Sequence, residues 1–214
     1  MNRWRISFRP AVGQTVPAAW IVSPSRRASG SALVAVHGIA REAEAMAALL
    51  APAAAATGRT VVAPLFTRAE WPNYQRSCCD RRSDKGLLRL LGDLVAESAI
   101  PAGPVDLAGF SGGAQFAHRF AWLHPSRVGR LVAASAGWWT FPEDAPWPLG
   151  MGSSQSRPLA NLWLKANLKA FLDRPISVRV GEYDNKPDRS TRSSQEPDAR
   201  QGGDRLTRAR KWVQ

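Results

Sequence analysis

Residues 105–120 read VDLAGFSGGAQFAHRF, a pattern that predicts a strand, a tight turn and an amphipathic helix in that order. Ser111 is the serine of a Gly-x-Ser-x-Gly pattern in the turn. A serine on so sharp a bend has its hydroxyl pushed out at the end of a sheet, and the crowding requires small residues such as Gly109 and Gly113 on either side. The following helix aims backbone N–H groups and its positive dipole end at any oxyanion formed there. The stretch therefore predicts attack on a carbonyl by Ser111.

Strand and helix patterns alternate through most of the chain. Buried strands are predicted at 32–36, 60–64, 105–110, 128–134 and 176–180, and helices at 41–51, 87–95, 112–123 and 160–172. This alternation predicts a single α/β domain over residues 1–214, with a mostly parallel sheet covered by helices on both faces. Ligands bind at the carboxyl ends of the strands in such sheets. Four residues come directly after predicted strands and should meet at that edge: His37, Gly38, Ser111 and Asp184.

An aromatic and proline-rich segment interrupts the alternation between residues 138 and 174. It carries Trp138, Trp139, Phe141, Pro146, Trp147 and Pro148 before the helix at 160–172. An insertion after the strand that follows the nucleophile is where a lid would cover the site with apolar surface, so we predict a small lid at 138–174. The alternative is that these tryptophans fill the core.

Composition indicates a folded globular protein, since 44% of the 214 residues are hydrophobic and 21% are charged. The amino terminus lacks the apolar run of a secretory signal, and the longest apolar stretch, 45–56, is too short for a bilayer. We therefore expect no membrane span and a cytoplasmic protein. The net charge of +12 comes mostly from dispersed arginines. Because no nucleic-acid-binding motif accompanies it, nucleic acid is not an expected partner, and salt-sensitive retention on DNA would contradict this.

The only two cysteines, Cys78 and Cys79, are adjacent. Neighbouring Cα atoms are ~3.8 Å apart, closer than ordinary disulfide geometry prefers, so free thiols are expected. With no third thiol and no Cys-x-x-Cys pattern, a structural zinc site has little support. The sequence predicts neither a metal nor a cofactor.

Three motifs together resemble a known family. His37-Gly38-Ile39, Gly-Phe-Ser-Gly-Gly at 109–113 and Gly-Glu-Tyr-Asp at 181–184 stand in the chain order of serine esterases of the α/β-hydrolase fold. Segments 71–76, 136–142 and 200–206 are most similar to the branch of polyhydroxyalkanoate depolymerases and bacterial esterases. The resemblance extends over residues 31–212. It implies hydrolysis of a small or polymeric carboxylic ester without a cofactor.

The resemblance also implies a role for each matching position. Ser111 would be the nucleophile that forms an acyl-enzyme, and the N–H groups of Ile39 and Gly112 would form the oxyanion hole. Asp184 would orient a histidine and stabilise its charged form. Glu182 is a poorer match for the acid and is expected to be a solvated charge.

The general base is where the sequence departs from the family. In this fold the histidine follows the acid in sequence, and no histidine follows Asp184. His37 belongs to the oxyanion loop, where a structural role is expected. His118 lies two helical turns beyond Ser111, ~10 Å away, which exceeds the reach of a general base. His124 stands before a proline and is expected to cap the carboxyl end of the same helix.

The carboxyl terminus suggests that the family pattern is cut short. Leu206, Ala209, Trp212 and Val213 keep helical spacing to the end without a stop signal. We therefore expect that a further strand and a histidine loop are missing, that the sheet edge is open and that this form is weakly active. Two alternatives remain: an unusual base, and a pseudoenzyme that binds an apolar ligand without catalysis. The sequence predicts neither the acyl and alcohol specificity nor the oligomeric state.

Overall fold

The structure is a computed structural model that describes residues 3–26, 30–77, 81–154, 159–187 and 195–214. Cys78 and Cys79 lie outside these residues, so their state as free thiols stays a prediction. Of the helices within the described ranges, none is both long and apolar enough to cross a bilayer.

Within the described ranges, seven strands form one mixed sheet in the order β1-β2-β4-β3-β5-β6-β7. β1 and β2 form an antiparallel hairpin, β2 pairs antiparallel with β4, and the remaining neighbours are all parallel. The strands are β1 (Trp4–Arg9), β2 (Ala18–Pro24), β3 (Leu33–Val36), β4 (Val61–Leu65), β5 (Val105–Phe110), β6 (Val128–Ala134) and β7 (Ile176–Arg179).

Helices connect the parallel strands and cover both faces of the sheet. They are α1 (Ala43–Thr57), α2 (Ser83–Ala96), α3 (Gly112–Leu123), α4 (Ala160–Leu172), α5 (Gln195–Gln201) and α6 (Arg205–Trp212). Short 3₁₀ turns follow β4 at Tyr74–Arg76 and α3 at Pro125–Arg127. The predicted mostly parallel sheet with helices on both faces is confirmed.

Successive residues of the central strands supply two separate cores. Val34 and Val36 of β3 belong to the core that includes residues of α2, α3 and α4, whereas Ala35 packs with residues of α1. The first core is large, built around leucines of α2 and aromatic residues of α3, with Trp122 stacked on Phe171 of α4. The second core is made of small residues, because α1 packs a row of buried alanines against the sheet. Together the two layers fix the parallel strands, whose carboxyl ends form one rim.

Two boundaries differ from those predicted. The pattern of residues 41–51 predicts a helix, but α1 starts at Ala43 and continues through Pro52 to Thr57, where Gly58 ends it in a left-handed conformation. The hairpin of β1 and β2 was not predicted. A third core, which the alternation gave no sign of, contains Trp139 together with Ala209 of α6.

Candidate active site

Ser111 lies on a strained turn between β5 and α3. Its φ of 53° is in the left-handed region, which residues other than glycine rarely adopt. The turn is held because the Ser111 N–H donates to Ala134 O at the end of β6, at 2.8 Å. A side chain at Gly109 would overlap the Gly113 carbonyl, and one at Gly113 would overlap the Val36 carbonyl. Both glycines are therefore required for the strand, the turn and α3 to approach so closely.

The loop after β3 lies directly against this turn. A Cβ at Gly38 would be 3.5 Å from Ser111 Cβ, and one at Gly112 would be 3.4 Å from the backbone nitrogen of Ile39. The two amides expected to bind an oxyanion, those of Ile39 and Gly112, thus lie beside each other and next to Ser111. Gly112 also begins α3, so its N–H belongs to the positive end of that helix.

The peptide between Gly38 and Ile39 is oriented by hydrogen bonds to its carbonyl. Gly38 O accepts from the Arg41 N–H at 3.0 Å and from Nδ1 of His37 at 2.8 Å. The N–H of a trans peptide points away from its C=O. Anchoring the Gly38 carbonyl on one side therefore turns the Ile39 N–H to the opposite side.

His37 has a structural role in orienting this peptide. Its Nε2 accepts the Phe66 N–H at 3.0 Å, so Nδ1 carries the ring proton and donates to Gly38 O. Burial lowers the pKa of His37 to about 4, since the charged ring would lose its contact with water. A neutral imidazole with both nitrogens bonded to backbone groups has no free position for Ser111.

Tyr74 and Arg41 support the same loop from behind. The Tyr74 hydroxyl donates to His37 O at 2.7 Å, and burial raises the pKa of this phenol. The Arg41 guanidinium lies 4.6 Å from the centre of the Tyr74 ring. It donates to the backbone carbonyls of Phe66, Thr67, Trp71 and Pro72. The sequence motif that carries Tyr74 marked it as similar to the family but gave no role for it.

Asp184 follows β7 at the same rim. The Ser135 hydroxyl donates to Asp184 Oδ2 at 2.9 Å, and Arg205 Nη1 is 3.7 Å from Oδ1. Ser135 directly follows Ala134, whose carbonyl accepts the Ser111 N–H. The residues at 111 and 184 are therefore linked across the ends of β5, β6 and β7. Glu182 is exposed two residues earlier.

The other two histidines are also engaged away from Ser111. His118 is fully buried, with Nδ1 2.9 Å from Ala114 O and Nε2 accepting the Thr140 N–H at 3.0 Å. Burial holds its pKa well below the ordinary value. His124 ends α3 and places Nε2 2.9 Å from Asp84 Oδ2. All three histidines of the chain lie in the described ranges, and none of them contacts Ser111 through an available ring nitrogen.

The aromatic residues after β6 divide between core and rim. Trp139 and Trp147 are buried, so these two pack in the interior. Trp138 is half-buried under the Arg208 guanidinium, which lies 3.6 Å from its ring centre. Residues 155–158 are outside the described ranges, and the lid expected at 138–174 stays a prediction. The rim has exposed apolar side chains at Ile39 and Phe110.

Solved structures share this architecture. Poly(aspartic acid) hydrolase-1 from Sphingomonas sp. KT-1 superposes with a TM-score of 0.78 and 22% identity, over 98% of this chain and 83% of that one. The poly(3-hydroxybutyrate) depolymerase LpqC from Bordetella parapertussis gives 0.76 and 25% identity, over 92% and 70%. The chain has the α/β-hydrolase fold.

A third α/β-hydrolase shows how far the sequence diverges within this fold. The fluorophosphonate-binding serine hydrolase FphF from Staphylococcus aureus is 13% identical with a TM-score of 0.59, over 85% of this chain and 80% of that one. No protein-family profile matches the sequence, and no curated protein matches it. The similarity therefore rests on the arrangement of the strands and helices.

Proposed function

We propose that this α/β-hydrolase cleaves a carboxylic ester through an acyl-enzyme on Ser111. The observation that carries the proposal is the left-handed turn at Ser111, packed against the amides of Ile39 and Gly112. The poly(3-hydroxybutyrate) depolymerase and the serine hydrolase of similar structure support the same reaction class. A polymeric or a small ester is the proposed substrate, and neither a cofactor nor a metal is part of the mechanism.

The proposed reaction runs in two halves. Ser111 Oγ attacks the carbonyl carbon and gives its proton to a base. The carbonyl oxygen becomes an oxyanion that accepts hydrogen bonds from the N–H groups of Ile39 and Gly112. The carbon–oxygen bond to the alcohol then breaks, and the alcohol leaves with the proton. Water then attacks the acyl carbon and gives a proton to the base, the bond to Ser111 Oγ breaks, and the serine takes that proton as the acid is released. Losing one oxyanion donor typically costs ~2.7–4 kcal/mol of barrier stabilisation.

We propose that residues 1–214 on their own catalyse this reaction slowly. The support is that His37, His118 and His124 each bond to other groups, which leaves Ser111 without a general base among them. Residual catalysis then rests on the oxyanion amides and on substrate binding. In serine hydrolases these alone retain a rate enhancement of ~10³–10⁴-fold over the reaction in water. Asp184, at the same rim, would orient an imidazole that reaches Ser111 from solvent.

Free imidazole tests this proposal because it can stand in for the base. We expect it to raise hydrolysis of a p-nitrophenyl ester by the chain well above the rate with the Ser111→Ala variant, which measures the reaction of imidazole itself. Asp184→Asn should reduce the gain. Equal rates for the unmodified chain and Ser111→Ala at every imidazole concentration would contradict the proposal.

The second candidate is a binding protein without catalysis. It is favoured by the same engagement of all three histidines and by the exposed Ile39 and Phe110, which could hold an apolar ligand. A fluorophosphonate probe with imidazole present separates the two functions. Labelling that disappears in Ser111→Ala supports the enzyme, whereas no labelling together with saturable binding of an apolar dye supports the binding protein.

A further inference from the structure

We propose that Ser135 is a positioning residue that holds the Asp184 carboxylate in the orientation needed for catalysis. This inference rests on the proposed hydrolase function. The sequence alone gives Ser135 no role, since a serine directly after a buried strand is ordinary. Three observations carry the proposal: its backbone conformation, its hydrogen bonds and the geometry of its acidic partner.

The backbone of Ser135 is strained in the same way as that of Ser111. Its φ is 49°, in the left-handed region that favours glycine. Two neighbouring strands, β5 and β6, thus each end in a left-handed serine. Strain of this kind persists only where the surroundings enforce it, and it concentrates at functional sites. Glycine would adopt this conformation at lower cost, so the presence of serine indicates a role for its hydroxyl group.

Backbone bonds fix Ser135 between the nucleophile and the acid. Its N–H donates to Arg179 O of β7 at 2.7 Å, and the preceding carbonyl, Ala134 O, accepts the Ser111 N–H at 2.8 Å. The residue is therefore tied to β5 on one side and to β7 on the other. Its side chain can move little relative to Ser111.

The Ser135 hydroxyl, held in this position, orients the Asp184 carboxylate. Ser135 Oγ donates to Asp184 Oδ2 at 2.9 Å, within ordinary hydrogen-bond distance for a hydroxyl and a carboxylate. With Oδ2 held, Oδ1 is turned toward Arg205 Nη1, and a third of the Asp184 side chain stays exposed. The carboxylate is thus oriented and still accessible to a ring N–H arriving from solvent.

Arg205 does not provide the same restraint. Its Nη1 is 3.7 Å from Oδ1, too long for a hydrogen bond, so it contributes attraction without fixing an angle. The backbone of the acid loop has its own support, because Asp184 N–H donates to Gly181 O and Asp184 O accepts the Leu206 N–H, both at 3.0 Å. These bonds place the main chain, and the Ser135 hydroxyl orients the carboxylate.

Ser135→Gly removes the hydroxyl while relieving the backbone strain, so a loss of activity cannot be attributed to a less favourable backbone. With imidazole present, we expect turnover of the ester to fall roughly 10-fold or more while KM changes little, since misplaced catalytic groups cost rate rather than binding. Ser135→Asn restores a donor and tolerates the left-handed region, and it should recover part of the rate. Ser98→Gly is the matched control, because Ser98 has a φ of 56° beyond α2, on the side of the sheet where β4 and β5 begin. Its turnover should not change.

Hydrogen exchange of residues 181–187 provides a readout that does not depend on activity. Ser135→Gly should leave exchange in this segment unchanged while turnover falls, because backbone hydrogen bonds hold the loop and the hydroxyl holds only the carboxylate. If Ser135→Gly leaves the turnover with imidazole unchanged, or if it speeds exchange in 181–187 so that the loss comes from a displaced loop, the inference is wrong although the hydrolase stands. If the unmodified chain shows neither imidazole-dependent turnover nor labelling of Ser111, the proposed function itself fails, and the role of Ser135 with it.

Discussion

Single glycines decide how closely β5, the turn at Ser111 and α3 can pack against β3. A Cβ at Gly113 would overlap the Val36 carbonyl oxygen and would lie 2.5 Å from His37 O, and backbone atoms of a central strand cannot move aside. We expect Gly113→Ala to lower the free energy of unfolding by more than about 3 kcal/mol, at the upper end of overpacking effects. Urea denaturation measures the change.

Gly92 gives the matched comparison for that substitution. It lies inside α2, and a Cβ there would meet nothing within 4 Å. Gly92→Ala should therefore stabilise the protein by about 0.5–1 kcal/mol, the ordinary gain for alanine over glycine in a helix. Similar losses in both variants would show that the close packing at Gly113 is not what the protein depends on.

Residue-level prediction succeeded where local sequence carries the constraint. The pattern around Ser111 was sufficient because only small residues fit that turn, and the structure brings Ser111, Ile39, Gly112 and Asp184 to one rim. Their catalytic roles stay a proposal. Ser135 could not be identified in the same way, since a serine after a strand is ordinary until its φ and its bond to the acid are known.

Among the secondary-structure elements, α6 stabilises the loop that follows β6 through hydrogen bonds. Arg208 is fully buried on this helix, donates to the carbonyls of Gly137 and Gly202, and pairs with Asp198 at 2.7 Å. We expect Arg208→Leu to cost about 3–5 kcal/mol, because it leaves a charged partner and two carbonyls without their donor. Arg210→Leu, on the exposed face of α6, should stay within about 0.5 kcal/mol. Thermal unfolding of both variants checks the difference.

Element boundaries were predicted less well than element types. The pattern predicted a helix at 41–51, whereas α1 continues through Pro52 to Thr57, although proline typically costs ~3 kcal/mol inside a helix. The buried face of Ala47, Ala51 and Ala54 crosses that position, and its packing on the sheet outweighs the penalty. The β1–β2 hairpin was missed although residues 4–9 alternate between apolar and polar side chains, which is the period of an edge strand.

For the molecule as a whole, buried histidines make stability depend on pH. The pKa of His37 falls to about 4 in the folded protein from an ordinary 6.5, and that of His118 falls well below its usual value. At pH values between the folded and the unfolded pKa of each histidine, the unfolded chain binds protons that the folded chain does not. The free energy of unfolding should therefore decrease as pH falls from about 6.5, by up to about 1.4 kcal/mol per pH unit for each histidine.

Urea denaturation from pH 7 to pH 5 tests this dependence above the range where most carboxylates titrate. His37→Gln keeps an acceptor for the Phe66 N–H without a titrating ring, and its slope with pH should be smaller. A stability that is flat over this range in the unmodified protein would contradict the lowered values.

The overall architecture was predictable because alternating strands and helices allow few arrangements. The order of the strands was not, since nothing local to β4 shows that it lies between β2 and β3. The positions of the histidines were predictable only in part. Sequence spacing excluded His118 as a base by distance, but one of the two backbone bonds that occupy its ring comes from the Thr140 N–H, far along the chain.

The strand order has a consequence for how the protein acquires its structure. The central pair joins distant parts of the chain, with Val34 of β3 beside Leu107 of β5. Long loops must close before such contacts repay the lost entropy, so refolding from denaturant is expected to take milliseconds to seconds or longer. During that interval the apolar central strands of different molecules can meet, and renaturation should recover more protein at low concentration.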